Sequence, residues 1–164
     1  MTHIAAGHSA PNFSLKSLDG KEFHLAQSLK KGPVVLAFFK VSCPVCKFTF
    51  PFLERLYQRY RSENVTFAAV SQDNVSATRD FAQAFELTLP ILLDDSAYSV
   101  SNGFGITMVP TVFLVEPDGT AKIASMGFIK ADLESVADAL ADRQNLTRTP
   151  VFLKTEAVPA NKPG

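Results

Sequence analysis

The 164-residue sequence predicts an α/β fold in which a central mixed sheet carries helices on both faces. Three observations predict it. The run PVVLAFF, residues 33–39, is apolar without interruption and rich in valine and phenylalanine, as a strand buried on both faces of a parallel sheet is. Phe48, Phe52, Leu53, Leu56, Tyr57 and Tyr60 follow at helical spacing, so strand passes directly into helix. The alternation of strand and helix then recurs, which implies crossover connections between parallel neighbours.

Taken in order, residues 1–10 read as an N-terminal arm. FSLKSLDGKEFHL, residues 13–25, reads as an extra N-terminal β-hairpin with Asp19-Gly20 as its turn. After the strand at 33–39, a helix over 44–61 opens on Pro44, where the amide that proline lacks would have no partner anyway. VTFAAV, 65–70, is a second buried strand, and 75–85, with Phe81, Ala82 and Phe85, a second helix. Residues 91–93 form a short extended segment, and 98–104 a short helix ended by Gly103 or Gly105. TVFLV and AKIASMGF flank the Asp118-Gly119 turn and should pair antiparallel. A helix over 130–142 gathers Leu133, Val136, Ala137 and Leu140 on one face. The domain is expected to span 11–142. Residues 143–164 are expected to be a partly disordered extension, interrupted by Pro150, Pro159 and Pro163, in which TPVFLKTE adds at most an edge strand.

Composition narrows the function. An apolar content of 46% suffices for a real core. Sixteen basic residues balance sixteen acidic ones, which leaves no field to hold a nucleic acid or an anionic membrane face. MTHIAAGHSAPNF has no basic region and no apolar run of the about 7 residues a signal peptide needs, and no later run nears the roughly 18 of a membrane span. A cytoplasmic protein without membrane contact, a monomer or weak dimer, is the expectation.

The chain holds two cysteines, Cys43 and Cys46, in the stretch KVSCPVCK. That spacing suits a redox dithiol, half a metal site, or a peroxide-reacting thiol with an incidental neighbour. Tetrahedral zinc wants four ligands, yet there is no second CxxC, and His3, His8 and His24 form no metal-binding pair and read as surface or turn residues. No metal and no cofactor is expected. Cys43 falls just after a buried strand, at or near the N-cap of the helix that Pro44 opens. There the free amides and positive end of the helix dipole stabilise a thiolate, so Cys43 is expected to have a lowered pKa and to act as nucleophile. Cys46, one turn inward on the same face, is placed to resolve the mixed disulfide, leaving a Cys43-Cys46 disulfide.

With these residues placed, VVLAFFKVSCPVCKFTFP resembles the thioredoxin superfamily: an apolar strand, CxxC, a lysine, and a proline, here Pro51. MVPTVFLVEPDG resembles its second signature, a cis-proline followed by a strand and a turn. APNFSLKSLDGKEFHL, VSQDN and LPILLDD are similar to the redoxin branch, which holds TlpA-like disulfide reductases and the alkyl hydroperoxide reductase/thiol-specific antioxidant (AhpC-TSA) families. The resemblance covers about residues 10–141. It implies a thioredoxin-like fold, a cis-Pro110 beside the dithiol, and a Val109 backbone that pairs with an extended substrate. It also implies a disulfide-bearing protein or small-molecule substrate and an external thiol reductant.

The branch holds reductases and peroxidases. In the P-x-x-x-T-x-x-C pattern of peroxiredoxins, aligning Cys46 with the peroxidatic cysteine puts Cys43 at the threonine and Phe39 at the proline, so both positions fail. With Cys43 as nucleophile two departures remain. Ser42 stands where an aromatic residue precedes the first cysteine, and Ala37 where thioredoxin carries a buried aspartate. TlpA-like reductases often place a glutamate after the second strand, where this chain has Gln72, which hydrogen-bonds but takes no proton at neutral pH. Asp73 is the nearest ionisable substitute, and an Asp-Asn at a strand end also reads as a turn or helix cap. Lys40 and Lys47 flank the site and would favour a thiolate, although Lys47 also reads as a solvated surface charge. The reading is a thiol:disulfide oxidoreductase, a disulfide reductase in direction. A peroxiredoxin-like peroxidase and a non-enzymatic thioredoxin-fold binding module are the alternatives.

Overall fold

The computed structural model describes residues 3–94 and 97–164. Met1 and Thr2 of the expected arm, and Asp95 of LPILLDD, lie outside the described residues.

The hairpin forms between β1 (Ser14–Lys16) and β2 (Glu22–His24), antiparallel, with Leu15 opposite Phe23. A short helix, α1 (Leu25–Leu29), follows it; Leu25 and Leu29 are buried. The central strand β3 (Val34–Phe39) is buried at every position, which is why its sequence shows no alternation. It runs parallel to β4 (Thr66–Ser71), which in turn runs parallel to β5 (Ile91–Leu93). On its other side β3 pairs antiparallel with β6 (Thr111–Val115), and β6 with β7 (Ala121–Met126). The order β5-β4-β3-β6-β7 is thus a mixed sheet with the strand that leads to the cysteines at its centre.

Three longer helices, α2 (Pro44–Tyr60), α3 (Val75–Ala84) and α5 (Lys130–Arg143), cover one face. Phe39, Cys46, Phe50, Leu53, Leu56, Phe81, Val136 and Leu140 share its core. The opposite face is filled by Phe38, Phe104 and Phe113, under α1 and the short α4 (Ser99–Gly103). Their rings meet at 5.1–5.9 Å, in tilted and edge-on arrangements that aromatic pairs favour. His3 stacks on Phe113 at 5.9 Å, so this histidine is a packing residue and not the surface or turn residue expected.

The two ends of the chain close the sheet. The arm runs beside β7, with Ser9 bridging Thr120 and the amides of Gly7 and Ala121 bonded to the carbonyls of Ala121 and His8. Residues 143–164, expected to be partly disordered, pack instead. Val151 and Phe152 are buried, and Phe152 meets the rings of Phe52 and Phe128 at 4.8 and 5.9 Å. Arg55 grips the segment, donating to the Val151 carbonyl at 2.6 Å and, with two nitrogens, to both oxygens of Glu156 at 2.9 and 2.8 Å. This pairing holds the Glu156 carboxyl down at about 2. TPVFLKTE adds no strand to the central sheet. The strand comes later, as β9 (Asn161–Lys162), antiparallel to β8 (Phe128–Ile129), which continues β7 past a bend at Gly127.

Candidate active site

The β3-to-α2 junction puts Cys43 at the N-cap of α2, in an extended conformation, with Pro44 at the first helical position. Its sulfur accepts the Cys46 amide at 3.1 Å, so the thiol takes the part that a serine or aspartate plays at other helix starts. The same sulfur donates to the Val109 carbonyl at 3.4 Å. Cys43 is half-buried, and Cys46, one turn on, is completely buried. Both are free thiols in this structure.

Burial pushes the Cys46 thiol far up, and its hydrogen bond with Cys43 adds to the rise. A negative charge on Cys43, when its thiol is ionised, or on Asp73 acts in the same direction, and the Lys40 backbone opposes them. The cause is plain in the packing: Cys46 shares its cluster with Ala37, Phe39 and Phe50, and Ala37 stands where an ionisable partner was absent from the sequence.

Across from the dithiol, the Val109–Pro110 peptide is cis. Thr111 donates its hydroxyl to the Met108 carbonyl at 2.8 Å, and Gly127 its amide to the Pro110 carbonyl at 2.7 Å, which fixes the loop between two strands. Cys43, Cys46, Pro44, Val109 and Pro110 therefore converge. Lys40 and Lys47 are exposed at the rim. Gln72 is tied through its backbone, its amide bonded to the Phe39 carbonyl at 3.1 Å.

Asp73 enters the site more directly than its sequence context implied. Asn74 caps α3, accepting the Ala77 amide at 2.8 Å, so the cap expected of this pair falls to the asparagine. Asp73 is left to accept the Val41 amide at 2.8 Å, which holds its carboxylate beside the loop that carries Cys43. Sequence reasoning missed Val41 because its contribution is a backbone amide, which no side-chain pattern reveals. Among the described residues no group of three or more His, Cys, Asp or Glu is placed to hold a metal.

A five-stranded mixed sheet, a Cys-Pro-Val-Cys at the start of the helix after its central strand, and a facing cis-proline define a thioredoxin-fold dithiol protein. Its residues 6–123 match the AhpC/TSA family model, and the chain belongs to that family. It is 34% identical over 141 residues to the thiol-disulfide oxidoreductase ResA of Geobacillus thermodenitrificans (strain NG80-2), spanning 82% of this chain and 80% of that one. Among solved structures it is similar to dsbF of MTB, with a TM-score of 0.68, 29% identity, and 79% and 93% of the two chains covered. It also shares its fold with the thioredoxin domain of a thiol-disulfide oxidoreductase from Bacteroides vulgatus, with a TM-score of 0.72, 22% identity, and 83% and 97% covered. The chain is a thiol:disulfide oxidoreductase of the thioredoxin superfamily, redoxin branch. Among the described residues no helix is long and apolar enough to cross a membrane.

Proposed function

We propose that the protein reduces disulfides through Cys43 and Cys46, with Cys43 as nucleophile and Cys46 as resolving thiol. The observation that carries this is the contrast at one helix start: a half-buried sulfur at the N-cap, facing Val109, and a fully buried sulfur one turn behind it. The Cys43 thiolate attacks one sulfur of the substrate disulfide, forming a mixed disulfide and expelling the other sulfur as a thiolate that takes a proton from water. Cys46 then loses its proton and attacks the Cys43 sulfur. The Cys43-Cys46 disulfide forms, the second substrate thiol leaves, and two electrons have passed to the substrate. An external thiol reductant returns the pair to the dithiol.

The second step needs a base, because a thiol raised by burial does not ionise unaided at neutral pH. Asp73 supplies it. Its partly buried carboxylate is held by the Val41 amide beside the loop that carries Cys43, and it is the nearest ionisable group the sequence offers, while Gln72 takes no proton. The Val109 backbone pairs with the chain that carries the substrate disulfide, since Pro110, a proline, has no amide of its own to compete. Substrates are disulfide-bearing proteins or small molecules, met by a monomer or weak dimer.

The test is Cys46→Ser with a model disulfide. A mixed disulfide through Cys43, seen as an added mass, is expected; no exchange at either cysteine in the unaltered chain would end this reading. The AhpC/TSA match favours a second one, peroxide reduction, in which the Cys43 thiolate takes one peroxide oxygen to give a sulfenic acid and hydroxide. Cys46 would then condense with it, releasing water. Stopped-flow oxidation by hydrogen peroxide no faster than that of a free thiolate disposes of it.

A further inference from the structure

The C-terminal segment reaches the same edge that the proposed substrate needs. After Phe152 and Glu156 are anchored on α2, the chain crosses to β8: Lys130 donates to the Ala160 carbonyl at 2.9 Å, Ile129 pairs with Asn161, and Phe128 with Lys162. Lys162 lays its ammonium over the Phe48 ring at 4.9 Å, and Phe48 in turn stands edge-on to Phe128 at 5.0 Å. Phe48 belongs to α2, two residues past Cys46.

The terminal Gly164 then lies against the cis-proline loop. A side chain on Gly164 would collide with the Val109 carbonyl, whose oxygen is the acceptor of the Cys43 thiol. Gly127 is shaped for the same passage: a Cβ there would lie 2.8 Å from the Lys162 carbonyl oxygen and 3.2 Å from the Gly164 nitrogen. Its φ of +74°, which a glycine adopts without strain, turns the chain from β7 into β8. Two glycines thus permit a strand-like segment to lie where an incoming polypeptide would pair.

We propose that residues 160–164 are a specificity element that occupies the Val109–Pro110 edge, so that Cys43 exchanges with small disulfides and discriminates against disulfides borne on extended polypeptide. The inference rests on the dithiol reading above and adds a substrate class to it. A small disulfide needs only a line of approach to one sulfur. An extended chain needs the Val109 backbone as well, and must displace the segment, so its apparent affinity falls by the fraction of molecules in which the edge is free.

Three proteins decide it: the full chain, a chain lacking residues 158–164, and Gly164→Val, which opposes docking without shortening the chain. Each is reacted as the dithiol with bis(2-hydroxyethyl) disulfide and with the interchain disulfides of insulin. The deletion and Gly164→Val should speed the polypeptide reaction about tenfold, the gain if the edge is free in about one molecule in ten, and change the small-disulfide rate less than about twofold. Equal changes for both substrates, or none for insulin in either variant, overturn the inference and leave the dithiol reading standing. Failure of the full chain to react with either disulfide removes the dithiol reading, and this inference with it.

Discussion

Cys43 and Cys46 are one helical turn apart and live in different solvents. Cys43 ends a loop, half-buried, with an amide of the helix start directed at its sulfur. Cys46 is sealed beneath that turn among Phe39, Phe50 and Ala37, and its thiol is pushed up by burial. The pair shows that spacing supplies only proximity. The surfaces packed around them make the difference: burial raises the cost of a negative charge on Cys46, which is why the proposed mechanism gives the attack to Cys43.

The largest effect that would sharpen the contrast is removal of one sulfur at a time. Cys46 is fully buried and its thiol is raised by that burial, so Cys43→Ser should lose most of its exchange rate, attack from Cys46 waiting on both ionisation and local opening. Cys46→Ser should keep the first step and stall. Comparable exchange by either single variant, measured with one model disulfide, would break the comparison.

Alkylation of the native dithiol comes next. Iodoacetamide should label Cys43 at least about a hundredfold faster than Cys46, because attack on a fully buried sulfur waits for local opening. Peptide mass mapping over time reads the ratio, and similar rates would show that the sealed pocket opens freely.

Asp73→Asn then separates two roles of one carboxylate. Loss of its charge lets the Cys46 thiol ionise more readily, which alone would speed resolution. If Asp73 is the base, the second thiol is instead released about a hundredfold more slowly at neutral pH, at the low end of what a positioned base contributes. A faster second step leaves Asp73 as an electrostatic neighbour only.

The smallest expected effect lies in the clamp over α2. Glu156 has its pKa lowered from 4.5 to about 2, so its contribution to stability is full above about pH 4.5 and is lost as pH falls through about 2. Glu156→Gln should lower the urea midpoint slightly at pH 7 and flatten its fall between pH 4.5 and 2. An unchanged acid profile would mean that the Arg55 pairing is too solvated to matter, as exposed ion pairs often are.

Much of this was legible because it is local. An unbroken apolar run gave away β3, and helical spacing and Pro44 gave away α2 and the capping position of Cys43. The hairpin and the mixed sheet followed from turn residues and the alternation of elements. The helix α1 hid because its five residues begin at the last residue of the expected hairpin, too few to show a period. The C-terminal segment was misread for a different reason. Its prolines and polar residues describe a chain without internal pairing, and what orders it is remote: Arg55 and Glu156 meet across 101 positions, and Phe152 fits between Phe52 and Phe128. The carboxylate of Asp73 was visible, but its hold on Val41 across 32 positions was not.

One more consequence belongs to the borders of the sheet. A strand with unpaired amides and carbonyls on one side invites a second molecule to continue the ladder. Here the chain itself pairs with the β7–β8 border at its two extremes, Ser9 at Thr120 and Asn161 at Ile129. The opposite border, β5, takes the hairpin, with Ser17 bridging Leu92 and the Leu18 amide bonded to the Ile91 carbonyl. The same segment that narrows the mouth of the dithiol thus also guards the molecule against edge-to-edge aggregation, so a variant that frees it for polypeptide substrates should be watched for self-association at high concentration.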